Sequence, residues 1–378
     1  MPLSASGKTT PAPKLGIWIT VFSEEKVLYS KENVDRLINT CKKCGITDIY
    51  LQIYRADKAY YNSDITDCSP YENILVQAKE DLLKYLIEKA NTDKIKIHAW
   101  LNLLCIAQNT DANILKKYGN KILTMDQYGN TSYQTDKNDL DKIFIREKQI
   151  FLEPAEDEVV KYLISITEEV IKKYPGLSGV HLDYLRYPEI MPLILGSRFS
   201  PKGLGYGYGK TNIEKFKNSS GFDITKMDYS RENFQLWDDW RRRQVTTLLK
   251  KISARARSLS PDIKISCTIV PSIERSYLVT FQDWTEWLNK GYADYVIAMN
   301  YTTDTKYMVL LSKSLLAPEN SAKTQIGIGA YLFKNDPAEI EEQLSLIKKL
   351  SPGGIVIFSY DEIAKNKELQ KFLAENFL

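Results

Sequence analysis

Gly179-Val180-His181-Leu182-Asp183-Tyr184-Leu185-Arg186-Tyr187-Pro188 begins as a buried strand and ends in groups that bind ligands. Successive side chains of a strand point to opposite faces, so Val180 and Leu182 share one face while His181 and Asp183 share the other. The segment then runs into Asp, Tyr, Arg, Tyr and Pro with no polar spacer. Charged groups taken from water need partners. A carboxylate, a guanidinium and two phenols at a strand's C-terminal end therefore point to a site rather than to a packing solution.

Outward from this stretch, apolar β-rich runs alternate with helical patterns. Strands are expected at 16–21, 48–54, 95–101, 179–183, 264–269, 295–300, 325–331 and 354–359. Helices are expected at 33–44, 80–91, 155–174, 229–259, 281–288, 307–316, 337–350 and near 365–376. Strand then helix, eight times, predicts a parallel sheet with helical crossovers. Eight such units favour closure into an α/β (β/α)8 TIM barrel over an open sheet, and 378 residues suit that barrel with long loops. Caps agree: Asp81, Asp283 and Asp336-Pro337 mark helix starts, and Gly45 and Gly291 mark helix ends.

Two connections exceed the usual few residues, 104–154 after strand three and 188–227 after strand four. Both follow strand C-termini, so both are expected as walls or lids of a cleft on one face. Gly205, Gly207 and Gly209 alternate with Tyr206 and Tyr208, a pattern that suits a mobile aromatic flap. The domain organisation expected is a flexible Ser/Thr/Pro leader, 1–14, and one barrel domain, 15–378.

Composition excludes several function classes. Hydrophobic content of 43% allows a large core, and a net charge of +3 without a separate basic block argues against nucleic acid as a partner. No apolar run approaches the roughly 20 residues of a membrane span, and the leader MPLSASGKTTPAPK lacks the apolar stretch of a signal peptide. The 24 tyrosines and 6 tryptophans suit sugar faces and ordinary cores alike. Cys41 and Cys44 form a CxxC inside an expected helix with no second pair, whereas a zinc site usually needs four ligands. With Cys68, Cys105 and Cys267 they read as structural thiols. GIGAY at 327–331 and GLGYGYG at 203–209 lack phosphate-loop spacing, so no nucleotide cofactor is expected, and no cofactor of any other kind.

Polar and aromatic groups converge at the strand ends. Strand one ends near Thr20, and strand two runs through Gln52 and Arg55 to Asp57. Trp100 and Asn102 follow on strand three, then His181, Asp183, Tyr184, Arg186 and Tyr187 on strand four and Thr268 on strand five. Asn300, Tyr301 and Asp304 belong to strand six, Tyr331 to strand seven, and Tyr360, Asp361 and Glu362 to strand eight. With only two histidines and no GxSxG or HExxH, a serine triad or zincin is disfavoured, and carboxylate chemistry remains. Glycoside hydrolysis commonly uses two carboxylates flanking the bond. Asp183 is the central acid: burial would raise its pKa and Arg186 would lower it. Asp57, Asp304, Asp361 and Glu362 are alternatives for the second carboxylate. For an N-acetyl sugar, the substrate's own carbonyl can serve as nucleophile, with Asn300 and Tyr301 suited to polarise it. His181 is expected in the interior, orienting Asp183.

GVHLDYLRYP resembles the strand-four signature of glycosyl-hydrolase-like family ten, a family of bacterial proteins. LGIWIT, DIYLQIYRADKAYYNSDI, KIHAWLN, WRRRQVTTLLKKI and FQDWTEWLNKGYADYVIAMNY are similar to further family segments in the same order, covering roughly 15–360. The resemblance implies a TIM barrel with a glycosidase-like site at its C-terminal rim, a carbohydrate substrate and an extracytoplasmic location. It carries Asp57, Asn102, Asp183, Tyr184, Arg186, Tyr187 and Tyr301 across as pocket residues. The chain departs from the family pattern at 55–58, which reads Arg-Ala-Asp-Lys rather than a Gly-rich turn, and at Leu185. A looser likeness to chitinase-type barrels lies in an Asp on strand four and a Met-x-Tyr on strand six, with Arg186 near the place of the chitinase acid.

The expected function is a retaining or N-acetyl-assisted glycoside hydrolase of a polysaccharide or oligosaccharide. Asp183, Tyr301, Asp304 and Asp361 are its catalytic candidates. Asp57, Trp100, Asn102, His181, Tyr184, Arg186, Tyr187, Asn300, Tyr331 and Tyr360 are the binding candidates, with Trp18 a further stacking ring. The competing reading is a non-catalytic carbohydrate-binding barrel. A metal-assisted deacetylase needs clustered His/Asp ligands that two separated histidines do not supply, so no catalytic metal is expected, while a structural calcium in the Asp-rich run 136–141 stays open.

Overall fold

Strand parity builds two separate cores. The computed structural model describes residues 13–134, 144–145, 148–191, 205–228, 230–333 and 337–378. Eight parallel strands form a closed sheet: β1 (Lys14–Ile19), β2 (Ile46–Arg55), β3 (Lys96–Asn102), β4 (Gly179–Asp183), β5 (Lys264–Ile269), β6 (Tyr295–Met299), β7 (Thr324–Gly329) and β8 (Gly354–Phe358). They follow chain order around the ring, and β1 pairs with both β2 and β8, so no barrel edge is left open. The fold is the α/β TIM barrel that the alternation predicts.

On the outer face Ile17, Ile49, Ile97, Val180, Ile265, Val296, Ile326 and Ile355 join the main core, packed with helix residues such as Leu37, Leu86, Leu163 and Leu249. Those four leucines lie on α1 (Lys31–Cys44), α2 (Leu82–Thr92), α3 (Asp157–Lys173) and α4 (Arg231–Leu259). The ring is completed by α5 (Trp284–Asn289), α6 (Thr305–Leu315), α7 (Pro337–Lys349) and α8 (Lys367–Phe377). Inside the barrel a second cluster holds Trp18, Tyr50, Trp100, Ile297 and Val356. Large rings fit there because glycines face them: a Cβ on Gly327 would meet the Trp18 ring at 2.7 Å, and one on Gly179 would meet His98 at 2.5 Å.

Three of the expected caps, Asp81, Asp283 and Gly45, are present. Asp81 accepts from the backbone N–H groups of Leu83 and Lys84, and Asp283 from that of Glu286. Gly45 closes α1 with φ of 69°, a left-handed turn open to glycine at little cost. None of the five cysteines is in a disulfide, and four are buried, Cys41 and Cys44 within α1.

Three local expectations are corrected. Strand six stops at Met299: the Asn300 N–H still reaches the Gly327 carbonyl of β7 but also bonds back to Ala298 as the chain turns. Strand seven stops at Gly329, and Ala330–Phe333 forms a 3-10 turn that carries Tyr331. Nor does 205–209 form a flap. Tyr206 is buried and bridges to Asp126, and the N–H groups of Gly205, Gly207 and Tyr208 donate to Gln127, Thr124 and Met125. The two long excursions thus pack on each other, with helices Asn113–Tyr118 and Lys210–Ser220 inside them. Most of the leader, the calcium candidate 136–141, the Asp336 cap and part of 203–209 lie outside the described residues.

Candidate active site

Inward positions stack in layers along the barrel axis. At the N-terminal end Asp48 bonds His98 at 2.9 Å, the His98 ring stacks on Tyr50 with centroids 4.7 Å apart, and the Tyr50 hydroxyl donates to that of Tyr295 at 3.1 Å. One layer up, the Trp18 indole N–H donates to Nε2 of His181 at 3.0 Å, and Nδ1 of His181 lies 2.9 Å from the Ser266 hydroxyl. Nε2 as acceptor assigns the ring proton to Nδ1. Burial holds the imidazole well below its ordinary pKa, with His98 adding to the effect. His181 is therefore a neutral strut whose two ring nitrogens are taken by Trp18 and Ser266, so neither is left to orient Asp183.

Above it stands Asp183, buried at 4% exposure but lining a cleft of about 520 Å³ at the C-terminal mouth. Oδ1 accepts from the Thr268 hydroxyl at 2.5 Å and from the Tyr184 N–H at 2.7 Å, and Oδ2 accepts from the Trp100 indole at 3.1 Å. Desolvation pushes the carboxyl above the usual range and outweighs the opposing pull of Thr268, the Tyr184 amide, Arg186 and Trp100. Tyr184 is held at φ of 53°, a left-handed conformation that costs a non-glycine residue about 1–3 kcal/mol. That turn presents its N–H to the carboxylate.

The cleft is also lined by Trp18, Gln52, Arg55, Asn102, Arg186, Glu189, Arg275, Tyr301, Tyr307, Tyr331 and Phe358. Gln52 donates to Asn102 at 3.1 Å and accepts from the Val21 N–H, tying the ends of β1, β2 and β3 together. The Arg186 guanidinium lies 4.7 Å from the Tyr184 ring and 5.6 Å from that of Phe151. Tyr301 packs edge-on to Trp18 at 6.2 Å and to Tyr331 at 6.1 Å, and burial raises its phenol pKa well above the ordinary value.

Of the sequence candidates, Asp183, Tyr301, Trp100, Asn102, Tyr184, Arg186, Asn300 and Tyr331 reach the cleft together. Asn300 has its amide turned outward, donating to the Met308 carbonyl and the Ser312 hydroxyl of α6. His181 lies beneath. Five others are placed elsewhere. Asp57 is fully buried, accepting from the hydroxyls of Tyr54, Tyr162 and Thr66 and the N–H of Ile114, which fasten the β2 loop to α3. Tyr187 donates to Glu153 at 2.6 Å in the packed excursions. Asp304 caps α6 by accepting from the Tyr307 N–H at 2.9 Å. Asp361 accepts from the Ser23 hydroxyl at 2.5 Å, and Tyr360 is buried in the outer core. None of the five lines the cleft.

Glu189 and Arg275 escaped the sequence reading. They form an ion pair of 2.5 Å, with the Glu189 side chain 3% exposed. Glu189 stands one residue beyond the Tyr187-Pro188 pair at the strand-four exit, and that position was its available signal. Arg275 sits on the short helix Ile273–Leu278 after β5 and had none. Asp183 and Glu189 are the carboxylates among the described residues lining the cleft. No group of three His, Cys, Asp or Glu side chains able to hold a metal occurs among the described residues, and no helix there is long and apolar enough to cross a membrane.

The family model described as glycosyl hydrolase-like 10 matches residues 14–329. The glycosyl hydrolase YngK of Bacillus subtilis is 25% identical over 374 residues, covering 89% of this chain and 64% of that protein. The glycosyl hydrolase DigH of Escherichia coli K12 is 22% identical, covering 82% of this chain and 67% of its own length. The chain thus spans about two thirds of the length of these curated relatives. Among solved structures, the catalytic domain of a β-amylase from Paenibacillus polymyxa aligns with a TM-score of 0.61 at 10% identity, over 96% of this chain and 97% of its own. An α-L-fucosidase from Paenibacillus thiaminolyticus aligns at 0.60 and 13%, over 97% and 49%. At such identities these two share the fold.

Proposed function

The chain belongs to the glycosyl hydrolase-like 10 family, and from that premise we propose that it is a glycoside hydrolase whose proton donor is Asp183. The observation that carries the reading is a buried carboxyl, with a raised pKa, lining an aromatic cleft at the barrel mouth. A general acid must still hold its proton near the working pH. Among the described residues Oδ2 takes a single donor, Trp100, which leaves a lone-pair position for that proton.

Hydrolysis adds one water across the bond between the anomeric carbon and the bridging oxygen. Asp183 gives its proton to the leaving oxygen as that bond breaks, the water oxygen bonds the anomeric carbon, and a water proton restores the acid. Glu189 is the second carboxylate, able to stabilise positive charge at the anomeric carbon or to take the water proton. Tyr301, Trp18 and Trp100 line the cleft with ring surface that suits a sugar's apolar face, while the indole N–H groups of the two tryptophans are taken by His181 and Asp183. Asn102, Gln52 and Arg186 supply hydrogen bonds to hydroxyl, acetamido or carboxylate substituents.

The Glu189–Arg275 ion pair also favours a second reading, a barrel that binds carbohydrate without cleaving it. Release of reducing ends from a polysaccharide panel separates the two. Hydrolysis of at least one polymer by the wild type, lost in both Asp183→Asn and Glu189→Gln, is the expected result. Binding with no release by the wild type would leave the second reading.

A further inference from the structure

The rim of the cleft is unevenly furnished. Among the described residues eleven large apolar side chains are exposed, and six of them, Phe22, Ile273, Tyr277, Tyr307, Leu310 and Tyr331, lie in segments that follow β1, β5, β6 and β7. Three of these, Phe22, Tyr307 and Tyr331, line the cleft directly while remaining 65%, 47% and 40% exposed. In the ring of strands β1, β8, β7 and β6 are consecutive neighbours, so the three rings occupy one continuous arc of the mouth. The β2 to β4 side of the mouth carries Arg55, Asn102 and Arg186 with the less exposed rings of Trp100 and Tyr184.

Stability does not account for that arc, because a ring left in water gains little from burial. Two of its rings are nevertheless braced by neighbours. The Arg55 guanidinium sits 4.7 Å from the Phe22 ring centroid. Tyr331 packs edge-on against Tyr301 at 6.1 Å and Phe358 at 5.7 Å. Tyr307 stands in the first turn of α6, where Asp304 caps its backbone N–H. Exposed rings continuous with a binding cleft, two of them braced by their neighbours, mark a contact surface.

We propose that Phe22, Tyr331 and Tyr307 are outer sugar-stacking positions, so that the cleft receives an internal stretch of a glycan chain and not only a terminal unit. This rests on the carbohydrate reading above. The partner chemistry is a chain of pyranose units whose apolar faces lie against successive rings.

Gel retardation in native gels cast with glycol chitin, xylan, polygalacturonate, carboxymethyl cellulose or dextran tests the proposal without requiring turnover. Wild type is expected to be retarded by at least one polymer. Phe22→Ala and Tyr307→Ala are each expected to weaken that affinity by roughly three- to tenfold, whereas Phe22→Tyr and Tyr307→Phe keep it, since the stacking face survives. Retardation of wild type by none of the polymers would overturn the proposal, as would alanine variants as strongly retarded as wild type or conservative variants as weak as the alanines. Reducing ends measured on the same polymers report hydrolysis separately: ring-dependent retardation with no release would uphold the outer positions and remove the hydrolase reading.

Discussion

The Thr268 hydroxyl at the end of β5 donates to Oδ1 of Asp183 at the end of β4, at 2.5 Å, across a strand boundary inside the barrel mouth. The bond favours the charged carboxylate and so opposes the burial that raises the pKa of Asp183. Thr268→Val removes the donor at nearly constant volume. The pKa of Asp183 then rises further. A proton donor is active while protonated, and its activity falls as pH rises through its pKa, so the falling limb of the kcat/KM profile is expected to move to higher pH. A limb that stays or moves lower would contradict the assignment.

Glu153 is buried in the packed excursions, where it accepts from Tyr187 and from the Ala155 N–H, and burial pushes its carboxyl up to about 7. The unfolded chain titrates it near 4.5. Between those values the folded state binds more protons than the unfolded one, so stability falls as pH rises from 4.5 to 7 and is level above. Glu153→Gln carries no such charge. Denaturant melts are expected to show the variant and wild type matching below pH 4.5, with the variant more stable by about 3 kcal/mol at pH 8.

Asp57 is a structural acceptor. Replacing it with Ala leaves the hydroxyls of Tyr54, Tyr162 and Thr66 and the Ile114 N–H without their acceptor in a buried setting. A loss of about 3–5 kcal/mol is expected in chemical denaturation. Activity per folded molecule should hold within a few fold at a temperature where the variant stays folded, because Asp57 is outside the cleft.

Gly327 gives Trp18 its place. An added Cβ would lie 2.7 and 2.8 Å from two carbons of the indole. Gly327→Ala is expected to cost about 1–3 kcal/mol by overpacking and to disturb the Trp18–His181 bond, readable as a change in near-ultraviolet circular dichroism. An unchanged spectrum and melting curve would mean that the inner cluster yields more easily than its packing indicates.

These outcomes separate what the sequence disclosed from what it hid. The strands were legible as short apolar, β-rich runs between helical patterns, and parity alone set Asp183 one layer above His181 on β4. The Asp81 and Asp283 caps were legible for a local reason, since each meets an N–H two or three residues away. Asp57 looked like a rim carboxylate until Tyr162, 105 residues distant, turned out to hold it. Glu189 and Arg275 meet across 86 residues and two different strand exits, a pairing that no local pattern encodes. Tyr206 and Tyr208 alternate with glycines as a free flap would, yet their partners on 124–127 come from the other excursion.

The central claim is proton donation by Asp183, and leaving-group dependence in Asp183→Asn tests it most directly. The variant would be assayed on a polysaccharide cleaved by wild type and on an aryl glycoside of the same sugar, whose acidic phenol departs without protonation. Polysaccharide hydrolysis is expected to fall by about 10²–10⁴-fold while the aryl glycoside loses far less. Equal polysaccharide rates in variant and wild type would contradict the account.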